Sequence, residues 1–273
     1  MDIRKILTPV DFSENSLNAL RYAVAYAKAT QAAIFILHVD TPGDATDELK
    51  ENLSADHLME LLKKSDYLAG VKSSVLFETG TVSEKILDAA QKNNIDLIVM
   101  GTQGAGNLKE NLVGTNTTHV VGKSTCPVLA VPASAVYKSI RKVVMAIDLA
   151  HRTDKIIEEI VNLVKIQQAS ILMVYVGEDK SGRFERELIE LTNAIKTRTG
   201  YNKIVGKLLD SSEFPTALES YSIDIEADML VMITHHRGVF ESIFDPSQTK
   251  MFAYHTRIPL LVVPHHKTPV FFI

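Results

Sequence analysis

The chain is written twice, and this limits what it can fold into more than any other feature. Lys5-Ile-Leu-Thr-Pro-Val-Asp11 matches Lys142-Val-Val-Met-Ala-Ile-Asp148, and Ala33-Ile-Phe-Ile-Leu-His-Val39 matches Ser170-Ile-Leu-Met-Val-Tyr-Val176, both offset by 137 (Lys5 to Lys142). Asp96-Leu-Ile-Val-Met100 then matches Asp228-Met-Leu-Val-Met232, and Cys126-Pro-Val-Leu-Ala-Val-Pro132 matches Ile258-Pro-Leu-Leu-Val-Val-Pro264, both offset by 132 (Asp96 to Asp228). The four matches keep their order. A period as long as a domain means a tandem duplication, not a solenoid. A chain of 273 residues has room for two cores.

Each half alternates short apolar strands with helical patterns. Strands are predicted near 3–10, 33–39, 72–78, 96–101 and 127–131. Leu17, Leu20, Val24 and Ala27 recur at helical spacing, with Ser13 as N-cap. Leu49, Leu53 and Leu61-Leu62 mark a second helix, and Thr81-Val-Ser-Glu84 reads as a capping box before Ile86, Leu87 and Ala90. A fourth helix is expected from about Thr115 to Lys123. The second half predicts helices near 153–167, 183–199, 214–223 and 246–255. Strands rich in Val, Ile and Leu, without polar alternation, suit a parallel sheet covered on both faces. The expected fold is α/β, with two tandem doubly wound domains. Each would be a five-stranded parallel sheet of order 3-2-1-4-5. Their bounds are 1–134 and 139–266, with Ala133 to Ser139 as the linker.

Composition removes several function classes. With 29 basic and 33 acidic residues the net charge is −4, and no Lys/Arg block stands out. That argues against nucleic acid as a partner. One cysteine excludes an internal disulfide and suits a reducing compartment. The longest apolar runs have strand length, so no membrane span is expected. The start, Met1-Asp-Ile-Arg-Lys5, runs straight into a strand, which predicts no signal peptide and a cytoplasmic protein.

The segment after Asp96-Leu-Ile-Val-Met100 carries glycines at 101, 104 and 114, with Thr115 after the last. A strand opening into such a loop lets backbone N–H groups approach an anion without a Cβ in the way. A helix starting at Gly114-Thr115 adds its positive end. In a sheet of order 3-2-1-4-5, strands 1 and 4 flank the crevice at the carboxyl edge where ligands bind. Asp11 and the glycine loop then face each other across it. Asp11 can accept a ribose hydroxyl or orient an adenine amine; the alternative is that it caps the following helix together with Ser13. Val39 offers backbone groups and an apolar face to a base.

These residues resemble the universal stress protein family. Its nucleotide-binding members carry Gly-x2-Gly-x9-Gly-(Ser/Thr), and Gly101, Gly104, Gly114 and Thr115 fit each position. Leu7-Thr-Pro-Val-Asp-Phe-Ser13 resembles the family's first strand, and Cys126-Pro-Val-Leu-Ala-Val-Pro132 its last. The resemblance spans nearly the whole chain, as a tandem two-domain member. It implies ATP or AMP as ligand, a stress-linked role, and dimers paired through the last strand; Mg²⁺ bridging the phosphates is expected with hydrolysis of ATP. Phosphate contacts carried over by position are Gly104, Gly114, Thr115 and Asn116. Ribose and base contacts are Pro9, Asp11, Val39, Met100, Gly101 and Gln103.

The second half departs from the motif. Ile233 stands for Gly101, His236 for Gly104 and Pro246 for Gly114, and Asp245 brings negative charge to the place of the phosphate. Proline has no N–H to give. This half is expected not to bind a nucleotide in the family manner, and Asp148, at the place of Asp11, is read as structural. His235-His236 and His265-His266 follow strands that should be neighbours. They are either a zinc-binding set or exposed loop histidines. Cys126 reads as a small core residue, Phe240, Ile243 and Phe244 as a core stripe, and His119 as helix surface. The tail Pro269-Val-Phe-Phe-Ile273 packs on its own domain or on a partner chain.

The leading expectation is a regulatory protein that binds an adenine nucleotide in its amino-terminal half and meets an unidentified protein partner. A slow Mg²⁺-dependent ATPase or adenylyl transferase is the enzymatic alternative. The chain has no Walker lysine and no Gly-x-Ser-x-Gly elbow, and no catalytic residue is assigned. A ligand-free scaffold is the third reading. Strand five is an exposed edge unless covered. The two halves can pair these edges inside one chain as a pseudo-dimer, and a homodimer of chains is a further assembly.

Overall fold

The computed structural model describes residues 2–41, 68–102, 114–151, 154–234 and 258–264. The elements alternate as the sequence predicts. The amino-terminal half has β1 (Lys5–Pro9), α1 (Glu14–Thr30), β2 (Ala33–Asp40), β3 (Ser73–Thr79), α2 (Val82–Lys92), β4 (Leu97–Gly101), α3 (Thr115–Lys123) and β5 (Val128–Val131). The carboxy-terminal half has β6 (Lys142–Ala146), α4 (Asp154–Val164), β7 (Ser170–Val176), α5 (Arg183–Thr199), β8 (Ile204–Leu209), α6 (Phe214–Asp224), β9 (Met229–Thr234) and β10 (Leu260–Pro264). A 3-10 turn at Lys165–Gln167 ends α4, where one continuous helix over 153–167 is predicted. The expected helices around Leu49–Leu62 and at 246–255 lie outside the described residues.

All ten strands form one sheet in the order β3-β2-β1-β4-β5-β10-β9-β6-β7-β8. Each half is therefore a parallel sheet of order 3-2-1-4-5. The halves join where β5 meets β10 antiparallel, with Ala130 opposite Leu260, Leu129 opposite Leu261 and Val128 opposite Val262. With Val128 and Leu260 as repeat mates, this register is symmetric about Leu129 and Leu261. The edge strand of each half covers that of the other, which removes the exposed edge.

Burial on both faces explains the apolar strands. One layer packs Ile6, Ile34, Val99, Val143 and Val231 under α1, α4 and α5. The other packs Leu7, Ile98, Val144 and Leu230 under α2, α3 and α6. Both layers run through both halves, so the core does not stop at the seam. Ser13 is the N-cap of α1, and its hydroxyl accepts from Ser16 N–H. Thr81 is the N-cap of α2 but makes no side-chain cap bond, so the predicted capping box does not close. Gly80 has φ +136° there, and Lys85 reaches Glu78 at 3.1 Å.

Candidate functional site

The carboxyl ends of β1, β2 and β4 come together at one edge of the amino-terminal half. Leu7 of β1 pairs with Ile98 of β4, and Pro9 pairs with Leu37 of β2. Continuing the register by two residues brings Pro9 beside Met100. Pro9, Val39, Met100 and Gly101 thus share this edge, and Asp11 is exposed just beyond it. Asp11 Oδ1 accepts the Ser13 N–H at 3.0 Å and the Ser13 hydroxyl at 2.6 Å. The capping role weighed for Asp11 is therefore present in the folded chain. The turn is tight enough to place Phe12 at φ 63°, in the left-handed region.

The glycines have separate physical reasons. A Cβ on Gly101 would lie 2.6 Å from Asn15 Nδ2, so the glycine lets the first turn of α1 close onto the end of β4. Asn15 is buried there, and no sequence signal singled it out. Gly114 has ordinary extended backbone (φ −65°, ψ 152°) and is the N-cap of α3, without a side-chain cap bond. Its own N–H donates to the Thr102 carbonyl at 2.5 Å, so this amide is turned to the protein. What Gly114 contributes is the missing side chain. Thr115 and Asn116 follow it, both exposed, with no acidic residue in the first turn. Helical geometry gives first-turn amides no partner within the helix. Thr117 Oγ1 donates to the Gly101 carbonyl at 3.0 Å and ties this turn to β4. A helix start with a glycine N-cap and no acid in its first turn, beside a glycine strand end, fits an anion. Gln103 and Gly104, the other expected contacts, lie outside the described residues.

Three further side chains flank the edge. His38 Nδ1 donates to the Val10 carbonyl at 2.8 Å, bracing the Pro9–Asp11 turn. Its ring lies between Phe12 (5.6 Å) and Phe77 (5.4 Å). These three aromatics are far apart in sequence, and only the register of β2 with β3 brings His38 and Phe77 side by side.

The carboxy-terminal half is built differently at the same place. Asp148 Oδ1 accepts from Ala150 N–H, and Oδ2 from His151 Nδ1, both at 2.9 Å. Burial pushes the Asp148 carboxyl up, but the hydrogen bonds from His151 and Ala150 outweigh it and leave it below its ordinary value. Ile233, at the place of Gly101, is half-buried against the core layer that holds α1, α4 and α5. Tyr175 stands where His38 does, and its ring covers Gly177, whose Cβ would lie 2.8 Å from Cε1. His236, Asp245 and Pro246 lie outside the described residues. So do His235, His265, His266, the Phe240–Phe244 stripe and the tail. Among the described residues no group of three metal-ligating side chains occurs, and no helix is long and apolar enough to cross a membrane. Cys126 is buried, which raises its thiol pKa and suits a packing residue.

Comparison with known proteins agrees with this architecture. The model of the universal stress protein family matches residues 2–132. A universal stress protein of Methanocaldococcus jannaschii is 33% identical over 138 residues, covering 47% of this chain and 81% of its own length. Universal stress protein YxiE of Bacillus subtilis is 32% identical over 144 residues, covering 46% of this chain and 97% of its own. Among solved structures, a universal stress protein from Archaeoglobus fulgidus covers 96% of this chain and 98% of its own, with a TM-score of 0.78. At 22% identity, that likeness concerns the fold alone.

Proposed function

The chain belongs to the universal stress protein family, and on that footing we propose that its amino-terminal half (1–134) binds an adenine nucleotide, ATP or AMP, as a regulatory ligand. The phosphates sit at the start of α3, against Gly104, Gly114, Thr115 and Asn116. The ribose and base lie along Pro9, Asp11, Val39, Met100, Gly101 and Gln103. Mg²⁺ accompanies a triphosphate. The observation that carries the reading is the glycine N-cap of α3, which brings no side chain of its own to the helix start, at the same sheet edge as Asp11. The second half (139–266) is the degenerate copy: Ile233 occupies the glycine position and Asp148 is engaged by His151. It supplies the other side of the seam and a surface for a protein partner. A cytoplasmic location goes with this role.

Calorimetry with ATP, ADP and AMP tests it, using ligand up to about millimolar, the upper range of weak specific binding. Heat of binding is expected for at least one of them, and Gly114→Val should remove it, because a β-branched residue at the N-cap crowds the anion position. No heat with any nucleotide, together with an indifferent Gly114→Val, overturns the proposal. Turnover faster than about one per second, the low end for enzymes, would favour the hydrolase alternative.

A further inference from the structure

Helix α1 begins at the crevice and runs to the junction of the two halves, and one stripe of its surface does both jobs. Asn15 packs on Gly101 at the crevice. Asn18 Nδ2 donates to the Ala135 carbonyl at 2.6 Å, a buried bond. Tyr22 donates to the Val136 carbonyl at 3.3 Å, and its ring meets Tyr137 edge-on at 5.0 Å. Tyr26 points its hydroxyl at Met229 Sδ, 3.7 Å away in β9 of the other half. Positions 15, 18, 22 and 26 lie three or four apart, which puts them on one face. Residues 132–141, the strap between β5 and β6, are held down by this face. Val136 of the strap is 83% exposed and Tyr137 41% exposed.

One carboxylate oxygen takes part in fixing the start of α1, beside the bonds of the Ser16 hydroxyl with the Asp11 N–H (3.3 Å) and the Ser13 carbonyl (3.0 Å). Asp11 Oδ1 holds both the N–H and the hydroxyl of Ser13, and the same hydroxyl caps Ser16 N–H at 3.2 Å. This turn also keeps Phe12 in a left-handed conformation that an aromatic residue adopts only when its surroundings enforce it. A ligand hydroxyl that takes Asp11 competes with Ser13 for that oxygen. The device is one-sided. In the second half Ala150, with no hydroxyl, stands at the place of Ser13, and Lys155, Glu159 and Leu163 stand at those of Asn18, Tyr22 and Tyr26.

We propose that Asp11 is a shared acceptor: a nucleotide that engages it in the amino-terminal crevice loosens the start of α1 and releases the strap 132–141 from the lobe junction. The inference rests on the nucleotide reading above. Occupancy is then read at a distance, because the two arrangements of α1 have different affinities for the ligand.

Hydrogen exchange of the full chain, followed by mass spectrometry with and without AMP or ATP·Mg²⁺ and with calorimetry in parallel, separates the two ideas. With ligand bound, peptides covering 132–141 should exchange at least about fivefold faster, the lower bound of ordinary allosteric coupling, while β7 and β8 stay unchanged. Ser13→Ala should raise strap exchange without ligand. Asn18→Ala should still give heat of binding but start from a loose strap, so ligand adds little. Tyr22→Phe, which deletes one hydroxyl from the stripe, repeats that test with less disturbance to packing. Binding heat with no change, or with slower exchange, at 132–141 overturns the inference and leaves the nucleotide reading standing. Absence of binding heat overturns both.

Discussion

Gly101 and Gly122 are both glycines of the amino-terminal half, and their surroundings predict opposite responses to alanine. Gly101→Ala drives a methyl group into Asn15, and overpacking of this kind costs about 1–3 kcal/mol. Urea unfolding should show the loss, and it should shrink in an Asn15→Ala background, where the obstructing amide is gone. Nothing lies within 4 Å of a Cβ on Gly122, which sits inside α3. Gly122→Ala should therefore stabilise by up to about 1 kcal/mol, the usual entropic cost of a helical glycine. The sequence marks Gly101 as special, and the structure gives its missing Cβ a close neighbour within the protein. The motif points to a ligand, and the structure adds the buried Asn15. Asn15 itself was illegible, because a lone Asn at a helix start reads as surface.

At the scale of elements, the matched repeats contain a device whose meaning only the fold reveals. Asp96 Oδ2 accepts the N–H groups of Arg4 and Lys5, both at 2.9 Å. Asp228 Oδ2 does the same for Arg141 (2.8 Å) and Lys142 (2.9 Å). Lys5 and Lys142 in turn donate to the carbonyls of Asn93 and Ile225, both at 2.8 Å, beyond the ends of α2 and α6. Each acid clamps the start of one central strand to the next, and Lys138 adds a 2.6 Å ion pair to Asp228. Burial raises the Asp228 carboxyl, but the Lys138 side chain and the two amides outweigh it and hold it below its ordinary value. A depressed carboxyl stabilises fully above its unfolded value, near about pH 4. That contribution is lost as pH falls through the lower folded value. Asp228→Asn should cost about 1–3 kcal/mol at neutral pH, the range for bonds to a charged group. It should also flatten the acid limb of stability against pH, measured by thermal unfolding from pH 7 down to 3.

At the scale of the whole molecule, the two halves form one sheet with a core continuous on both faces. Leu129 and Leu261 face each other at the centre of the seam, both fully buried. Truncating either to alanine should cost about 2–5 kcal/mol. The pseudo-symmetry predicts similar losses for the two. Because they are neighbours, the double variant should depart from the sum of the singles. A calorimetric scan of the parent should give one cooperative transition. Two resolved transitions would mean that the seam carries less of the stability than its burial implies. The strap is less symmetric than the seam: α1 grips it through Asn18 and Tyr22.

The sequence alone determined the duplication, the alternation of strand and helix and the glycine start of α3, because these follow from local periodicity and from repetition within one chain; the strand order was an expectation from the fold class that the structure bears out. Pairing of the two edge strands could also be anticipated from the need to cover them. What only the tertiary structure decided is which distant groups meet: Asn15 against Gly101, Asp96 against the start of β1, His38 between Phe12 and Phe77, and the α1 stripe against strap and second half. Such contacts depend on register and helix rotation. Sequence patterns fix the spacing along an element but leave open what that element packs against.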